Sequence, residues 1–344
     1  MEEPLNIAIA AGAWSHSGGI TSFVYHLVQG FDALGADYRI VSAGSACKAW
    51  RDELLFSPDD RYLDEADIIF VVHFYPSFKN LDHQRHLLGR IKQSGKPVSV
   101  VLFDPVEWRW DGATQVMKWL DPHQIIFVGE RNRALYEKVH RSWIPRARLK
   151  VFNLPYKRWN DGRNSAKAPR AICTSRIAPE KRIELILQAG VDVELWGGPP
   201  HPLSIYYLER FGGDTKNIPG FMGGFEFSRE EFDRVYRTAS VLVDMTRFEG
   251  EGDRVQYTFL EAMDYGLSIV CASDWSGGSE YSDFMPGVHY APALKPLEIR
   301  DAVERLRAGP NPFAEAHEVL LQKHDATKVA GEIIKSWKAL IKRK

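Results

Sequence analysis

The segment GEGDRVQYTFLEAMDYG, residues 250–266, carries two acids eight residues apart, Asp253 and Glu261. It reads as a loop that opens a helix, stops on Gly266 and feeds the strand-like LSIVCAS. A helix start presents N–H groups with no intrahelical partner, here those of about Gln256, Tyr257 and Thr258, and a diphosphate can take them. Glu261 falls one turn in, on the face of Tyr257 and Thr258. A carboxylate there can accept a pair of hydroxyl hydrogen bonds, which suits a ribose diol; a solvated or ion-paired glutamate is the plain alternative. Upstream, RIAPEKR sets Arg176 at the end of a strand and Lys181 five residues on, at the start of the next helix. Two cations at that edge suit a phosphate, and a merely solvated basic helix start is the alternative.

Short apolar strands alternating with helices must position these side chains. In the first half the strand candidates are residues 5–12, 37–44, 67–73, 97–104, 124–129 and 148–153. In the second half they are 170–176, 191–197, 239–245 and 267–273. Their apolar runs are continuous rather than alternating, as in parallel strands covered on both faces. Helical stretches lie between them: Ile20–Leu34, with Phe23, Leu27 and Phe31 on one stripe, Arg131–His140, and residues 179–190 and 228–239. The polar, Pro- and Gly-containing stretch 153–170 reads as a linker. The expected fold class is α/β, with two Rossmann-like doubly wound domains facing across a cleft. The expected domains are 1–155, 165–325 and a C-terminal helix, 326–344, that either caps the second domain or crosses back to the first. Its apolar stripe is Val329, Ile333, Ile334, Trp337 and Ile341.

Several motifs in this order resemble the donor-binding half of retaining glycosyltransferases of the GT-B fold, family 4-like. They are the Arg176/Lys181 pair, the Gly-containing IPGFMGG (218–224), and an acid eight residues before Glu261, followed by Ala-Met-x-x-Gly and a strand. In the first half WSHSGGITSF (14–23) is similar to the family's Gly-rich loop. The resemblance implies transfer of a sugar, with retention, from a nucleotide donor to a hydroxyl. UDP-glucose is the expected donor. By position, Arg176 and Lys181 would clamp the diphosphate and stabilise its departure. Tyr257, Thr258 and Phe259 would offer backbone N–H groups, Glu261 would hold the ribose, and backbone near Met222 would meet the base. Gly18 and Gly19 would let the first loop approach diphosphate and sugar.

Two departures from the family pattern bear on the sugar. The first acid of the pair is Asp253, one methylene shorter than the usual Glu, so Glu251 or Glu249 could reach the sugar instead. Where family members carry a His at the end of the fourth strand, this chain has Asp104. Asp104 could contact sugar or acceptor, His73 is another candidate, and a structural strand-end histidine is as good a reading of it. No Asp-x-Asp pattern occurs, so no obligatory metal is expected.

Charge is distributed unevenly. The total is −1, yet residues 131–170 hold twelve Lys and Arg against two acids. Arg141 and Arg146 lie in this stretch, and Trp108, Arg109 and Trp110 precede it with stacking surfaces. A basic stripe with interleaved aromatics fits a polyanion, and an ordinary solvated linker is the alternative. Phage enzymes that glucosylate hydroxymethylated DNA bases are similar in size, in the Gly-Gly-Ile-Thr-x-Phe helix start and in the Tyr-Thr-x-Leu-Glu segment. That resemblance implies duplex DNA as partner, with a flipped base as acceptor. A lipid-linked or polysaccharide acceptor at a membrane surface is the alternative, and a non-catalytic DNA-binding protein with a degenerate nucleotide-sugar domain is a third reading.

At 344 residues, 44% hydrophobic and 26% charged, the chain has an ordinary soluble globular composition and length for two domains. No apolar run reaches membrane-helix length, and MEEPLNIAIAAG reads as neither signal nor transit peptide. Three scattered cysteines, Cys47, Cys173 and Cys271, read as reduced thiols in a cytoplasmic protein. GxGxxG is absent after the first strand, which argues against a dinucleotide-binding dehydrogenase.

Overall fold

The computed structural model describes residues 5–11, 19–42, 47–49, 54–57, 59–72, 81–103, 111–140, 148–160, 168–197, 208–224, 229–247, 255–275 and 283–342. They fall into two units. One holds the described residues up to Lys157 together with those from Lys323 onward; the other holds those from Arg158 to Gln322.

In the first unit the strands are β1 (Asn6–Ala11), β2 (Asp37–Ser42), β5 (Ile68–Val72), β6 (Val98–Leu102), β7 (Gln124–Phe127) and β8 (Leu149–Val151). They form one sheet in the order β2-β1-β5-β6-β7-β8, every neighbouring pair parallel. β5 and β6 are buried along their whole length, which is why their sequences are unbroken apolar runs. A short antiparallel pair, β3 (Cys47–Ala49) and β4 (Leu54–Phe56), stands outside that sheet. The helices of this unit are α1 (Gly19–Ala33), α2 (Tyr62–Glu65), α3 (Leu81–Gln93), α4 (Asp111–Leu120) and α5 (Glu130–His140). The predicted stripe of α1 is buried at Phe23, Leu27 and Phe31.

The C-terminal helix, Ala326–Ile341, belongs to this first unit and packs on α1. Trp337 is fully buried, its ring 6.0 Å from Phe31 and 5.1 Å from Phe70. Ser336 accepts a hydrogen bond from Gln124 Nε2 (2.7 Å) under β7. Just before the helix the chain runs beside the linker: Tyr156 N–H donates to the His324 carbonyl (2.7 Å), and Ala326 N–H to the Tyr156 carbonyl (3.1 Å). α1 approaches the helix at Gly30, where a Cβ would lie 2.3 Å from the Ala326 carbonyl oxygen and 2.7 Å from Ala330 Cβ. Both partners are backbone or helix-borne, so Gly30→Ala is expected to cost about 1–3 kcal/mol. Urea denaturation checks this; an unchanged midpoint would show that the two helices separate freely.

In the second unit the sheet order is β11-β10-β9-β12-β13-β14, again all parallel. The strands are β9 (Ala171–Thr174), β10 (Glu194–Trp196), β11 (Phe221–Gly223), β12 (Val241–Asp244), β13 (Ser268–Ala272) and β14 (Ala291–Ala293). The helices are α6 (Ile183–Ala189), α7 (Arg229–Thr238), α8 (Tyr257–Asp264), α9 (Pro296–Arg307) and α10 (Ala314–Lys323), which makes the C-terminal helix α11. The single helix predicted over 179–190 is two pieces. A 3-10 turn, Pro179–Lys181, is separated from α6 by Arg182, which sits in the left-handed conformation (φ 48°). Among the described residues, no helix is long and apolar enough to cross a membrane.

Candidate active site

β9 lies between β10 and β12, so the chain leaves β9 toward one side and returns on the other. At such a switch point the loops at the carboxyl ends of neighbouring strands diverge and leave a crevice. Here β9 delivers Thr174, Ser175 and Arg176, and β12 delivers Asp244, Met245, Thr246 and Arg247. Arg176 is exposed and donates to Glu180 Oε1 (2.9 Å). Lys181 is half-buried, and its ammonium donates to Thr246 Oγ1 at 3.0 Å. The structure therefore brings both cations to this crevice.

The loop that carries them is fastened at several points. Arg247 N–H donates to the Glu180 carbonyl (2.6 Å). Arg182 donates to the carbonyls of Met245 (2.7 Å) and Thr246 (3.2 Å) and forks onto Asp274 at 3.0 and 2.7 Å. That guanidinium holds the Asp274 carboxyl below the usual carboxylate range. A left-handed backbone costs a residue with a Cβ roughly 1–2 kcal/mol, and this set of bonds offsets it at Arg182. Asp244 is buried; its carboxylate accepts from Thr246 N–H (2.8 Å) and from Ser175 Oγ (3.2 Å). Cys173 and Cys271 lie close by, but burial pushes both thiols up, Cys173 to about 12, so neither is a ready thiolate.

α8 begins after Gln256, whose side chain makes no capping bond. Tyr257 and Thr258 are its first two residues, ahead of the first helical hydrogen bonds. Phe259 N–H, the third, donates to the Gln256 carbonyl at 3.0 Å. Glu261 is half-buried one turn in, and its Oε2 accepts from Tyr236 Oη–H (3.3 Å). Tyr236 is fully buried, and burial, with Glu261 beside it, raises its phenol well above the ordinary value. With its one proton given to Glu261, Tyr236 is left to accept from Thr174 Oγ1, 2.8 Å away. The sequence pattern around Glu261 gave no sign of this relay, because Tyr236 lies 25 residues upstream on α7.

Met222 is exposed (54%) on the edge strand β11. Before it, Gly220 has φ 77°, and a Cβ would meet the Val193 carbonyl at 2.6 Å, so the glycine of this motif is a packing requirement of β11 on β10. Gly19 is the exposed first residue of α1, with open space where a Cβ would stand. Gly18, His73, Asp104, Trp108, Arg109, Trp110, Arg141, Arg146, Glu249, Glu251 and Asp253 lie outside the described residues.

The basic stretch is less free than its composition suggests. Arg133 pairs with Glu130 and Glu137, Arg148 with Asp121, Arg158 with Asp264 and Glu318, and Arg170 with Glu194. Several of these acids lie outside residues 131–170, so a count along the chain misses them. Lys138, Lys150 and Lys157 are exposed.

No family model matches this sequence, and no curated protein matches it. Solved structures do. An alpha-glucosyltransferase in complex with UDP and a 13-mer DNA containing an HMU base is 14% identical, with a TM-score of 0.72 over 99% of this chain and 100% of that one. Anabaena HepE in complex with UDP-glucose is 12% identical, with a TM-score of 0.67 over 96% and 99%. The pneumococcal O-GlcNAc transferase GtfA, in complex with UDP and GlcNAc, is 9% identical, with a TM-score of 0.64 over 99% and 100%. At such identities the likeness shows the fold: an α/β chain with the two Rossmann-like sheets of GT-B glycosyltransferases.

Proposed function

We propose that this chain is a retaining, family 4-like glycosyltransferase that moves glucose from UDP-glucose to an acceptor hydroxyl. The observation that carries this reading is that Arg176 follows the end of β9, the switch-point strand, Lys181 bonds Thr246 just past the neighbouring β12, and Glu261 is linked through Tyr236 to Thr174 at that same end of β9. It is supported by a fold shared with structures that hold UDP, UDP-glucose or UDP with a sugar. In the reaction, the bond from the anomeric carbon to the diphosphate oxygen breaks and a bond to the acceptor oxygen forms. The acceptor's proton leaves with the diphosphate. Arg176 and Lys181 stabilise the charge that grows on the diphosphate, and the N–H groups of Tyr257 and Thr258 add to that field. Glu261 takes the ribose hydroxyls, Met222 lies toward the base, and Asp253 and Asp104 serve sugar and acceptor. No obligatory metal enters this scheme.

The acceptor in this reading is a hydroxymethylated base in duplex DNA. The DNA bound to the alpha-glucosyltransferase of like fold supports it, as do the exposed lysines of the basic stretch. The ion pairs at Arg133, Arg148, Arg158 and Arg170 reduce the charge left for DNA, so the salt slope should be modest for twelve cations. Incubation with labelled UDP-glucose and duplexes with or without hydroxymethylpyrimidines tests the assignment. Label should enter the hydroxymethylated duplex alone. UDP release without labelled DNA would move the acceptor elsewhere.

Tyr236→Phe removes the proton that reaches Glu261 and leaves the ring in place. Donor KM should rise about three- to tenfold, a loss of roughly 1 kcal/mol. Steady-state kinetics against UDP-glucose checks this, and an unchanged KM would detach Tyr236 from ribose binding.

A further inference from the structure

We propose that Thr246 is the positioning residue of Lys181, and that Arg182 and Asp244 exist in this fold to hold Thr246 still. The inference rests on the donor-site reading above. Lys181 sits on a short 3-10 turn rather than on a helix, so its backbone alone does not fix a four-carbon side chain. Its ammonium is aimed by Thr246 Oγ1 at 3.0 Å. Thr246 is itself buried (5%) at the end of β12.

Thr246 is gripped from both sides. Its N–H is taken by Asp244 Oδ1 (2.8 Å), from a carboxylate that is 1% exposed. Its carbonyl, with that of Met245, is taken by Arg182, which is anchored in turn on Asp274. Arg182 follows Lys181 directly and adopts a left-handed backbone, so one residue both turns the chain away from the crevice and ties the loop to the ends of β12 and β13. A cation that stabilises a developing charge acts through its preorganised place, and a misplacement of about an ångström can cost on the order of a hundredfold in rate.

Thr246→Val keeps the shape and burial of the side chain and deletes the hydroxyl. Turnover of UDP-glucose should fall roughly tenfold or more, while UDP affinity by calorimetry changes less than about threefold. Thr246→Ser, which keeps the hydroxyl, should recover turnover to near wild type. Arg182→Gly keeps the left-handed turn without the clamp and should lower turnover like Thr246→Val. Valine and serine variants that behave alike, or a fully active valine variant beside a crippled Lys181→Ala, would overturn this inference and leave the donor site standing. Wild-type protein that binds no UDP and splits no sugar nucleotide would overturn both.

Discussion

Replacing Lys181 by alanine is expected to lower sugar-transfer turnover by roughly a hundred- to a thousandfold, the range seen when one preorganised charge or donor is removed from a site of developing negative charge. The melting temperature should move little. Lys181 lies on a 3-10 turn with no buried residue of its own, and the bond it loses is a single one to Thr246. Lys181→Arg should not restore the rate, since a planar fork does not replace a point charge aimed by one hydroxyl. Donor KM should shift much less than turnover, because in the proposed reaction the charge facing Lys181 is greater in the transition state than in the bound donor. Rapid-quench turnover with saturating UDP-glucose measures this directly. A fully active alanine variant would falsify the leaving-group role.

Glu261→Ala is the complementary case. Here donor KM should rise by about ten- to a hundredfold, the value of hydrogen bonds to a charged group, with a smaller change in turnover. A stability cost accompanies it. The Tyr236 hydroxyl, buried with its proton aimed at Glu261, loses that acceptor and turns its proton to Thr174 Oγ1, at a cost of about 0.5–1.5 kcal/mol. A double-mutant cycle with Tyr236→Phe separates the two effects: coupling in KM belongs to the relay, and coupling in stability alone would make Glu261 a structural partner of Tyr236. An unchanged KM in Glu261→Ala would remove the ribose role.

Much of this fold is legible as continuous apolar runs. LNIAIAAG, DIIFVVH, PVSVVLFD and LSIVCAS each contain a strand buried on both faces, and parallel pairing leaves no alternation to look for. The edge strands of the second sheet were not legible, although those of the first, β2 and β8, were. β11 is three residues, Phe-Met-Gly, and β14 is Ala-Pro-Ala, whose Pro292 is tolerated because β14 pairs on one side only. The break at Arg182 was equally hidden. Periodicity runs through PEKRIELILQAG with neither glycine nor proline at position 182, and what allows an arginine there is a set of acceptors just past β12 and β13, more than sixty residues away.

The candidate site divides in the same way. The places of Arg176 and Lys181 past the end of β9 and of Glu261 one turn into α8 were readable from residue type and spacing. Their partners Thr246, Asp244, Thr174 and Tyr236 were not, because each is an ordinary residue within its own segment and acquires its role only when the sheet is assembled. The acids that pair with the basic stretch were invisible for the same reason: Asp121, Glu194, Asp264 and Glu318 reach it through the fold.

The donor site is tested most directly by following UDP release from UDP-glucose by wild-type protein and by Lys181→Ala, with and without hydroxymethylated duplex DNA. Release by the wild type, stimulated by the duplex and lost in Lys181→Ala, is the expected result. Wild-type protein that neither binds nor splits UDP-glucose or any other nucleotide sugar would contradict it.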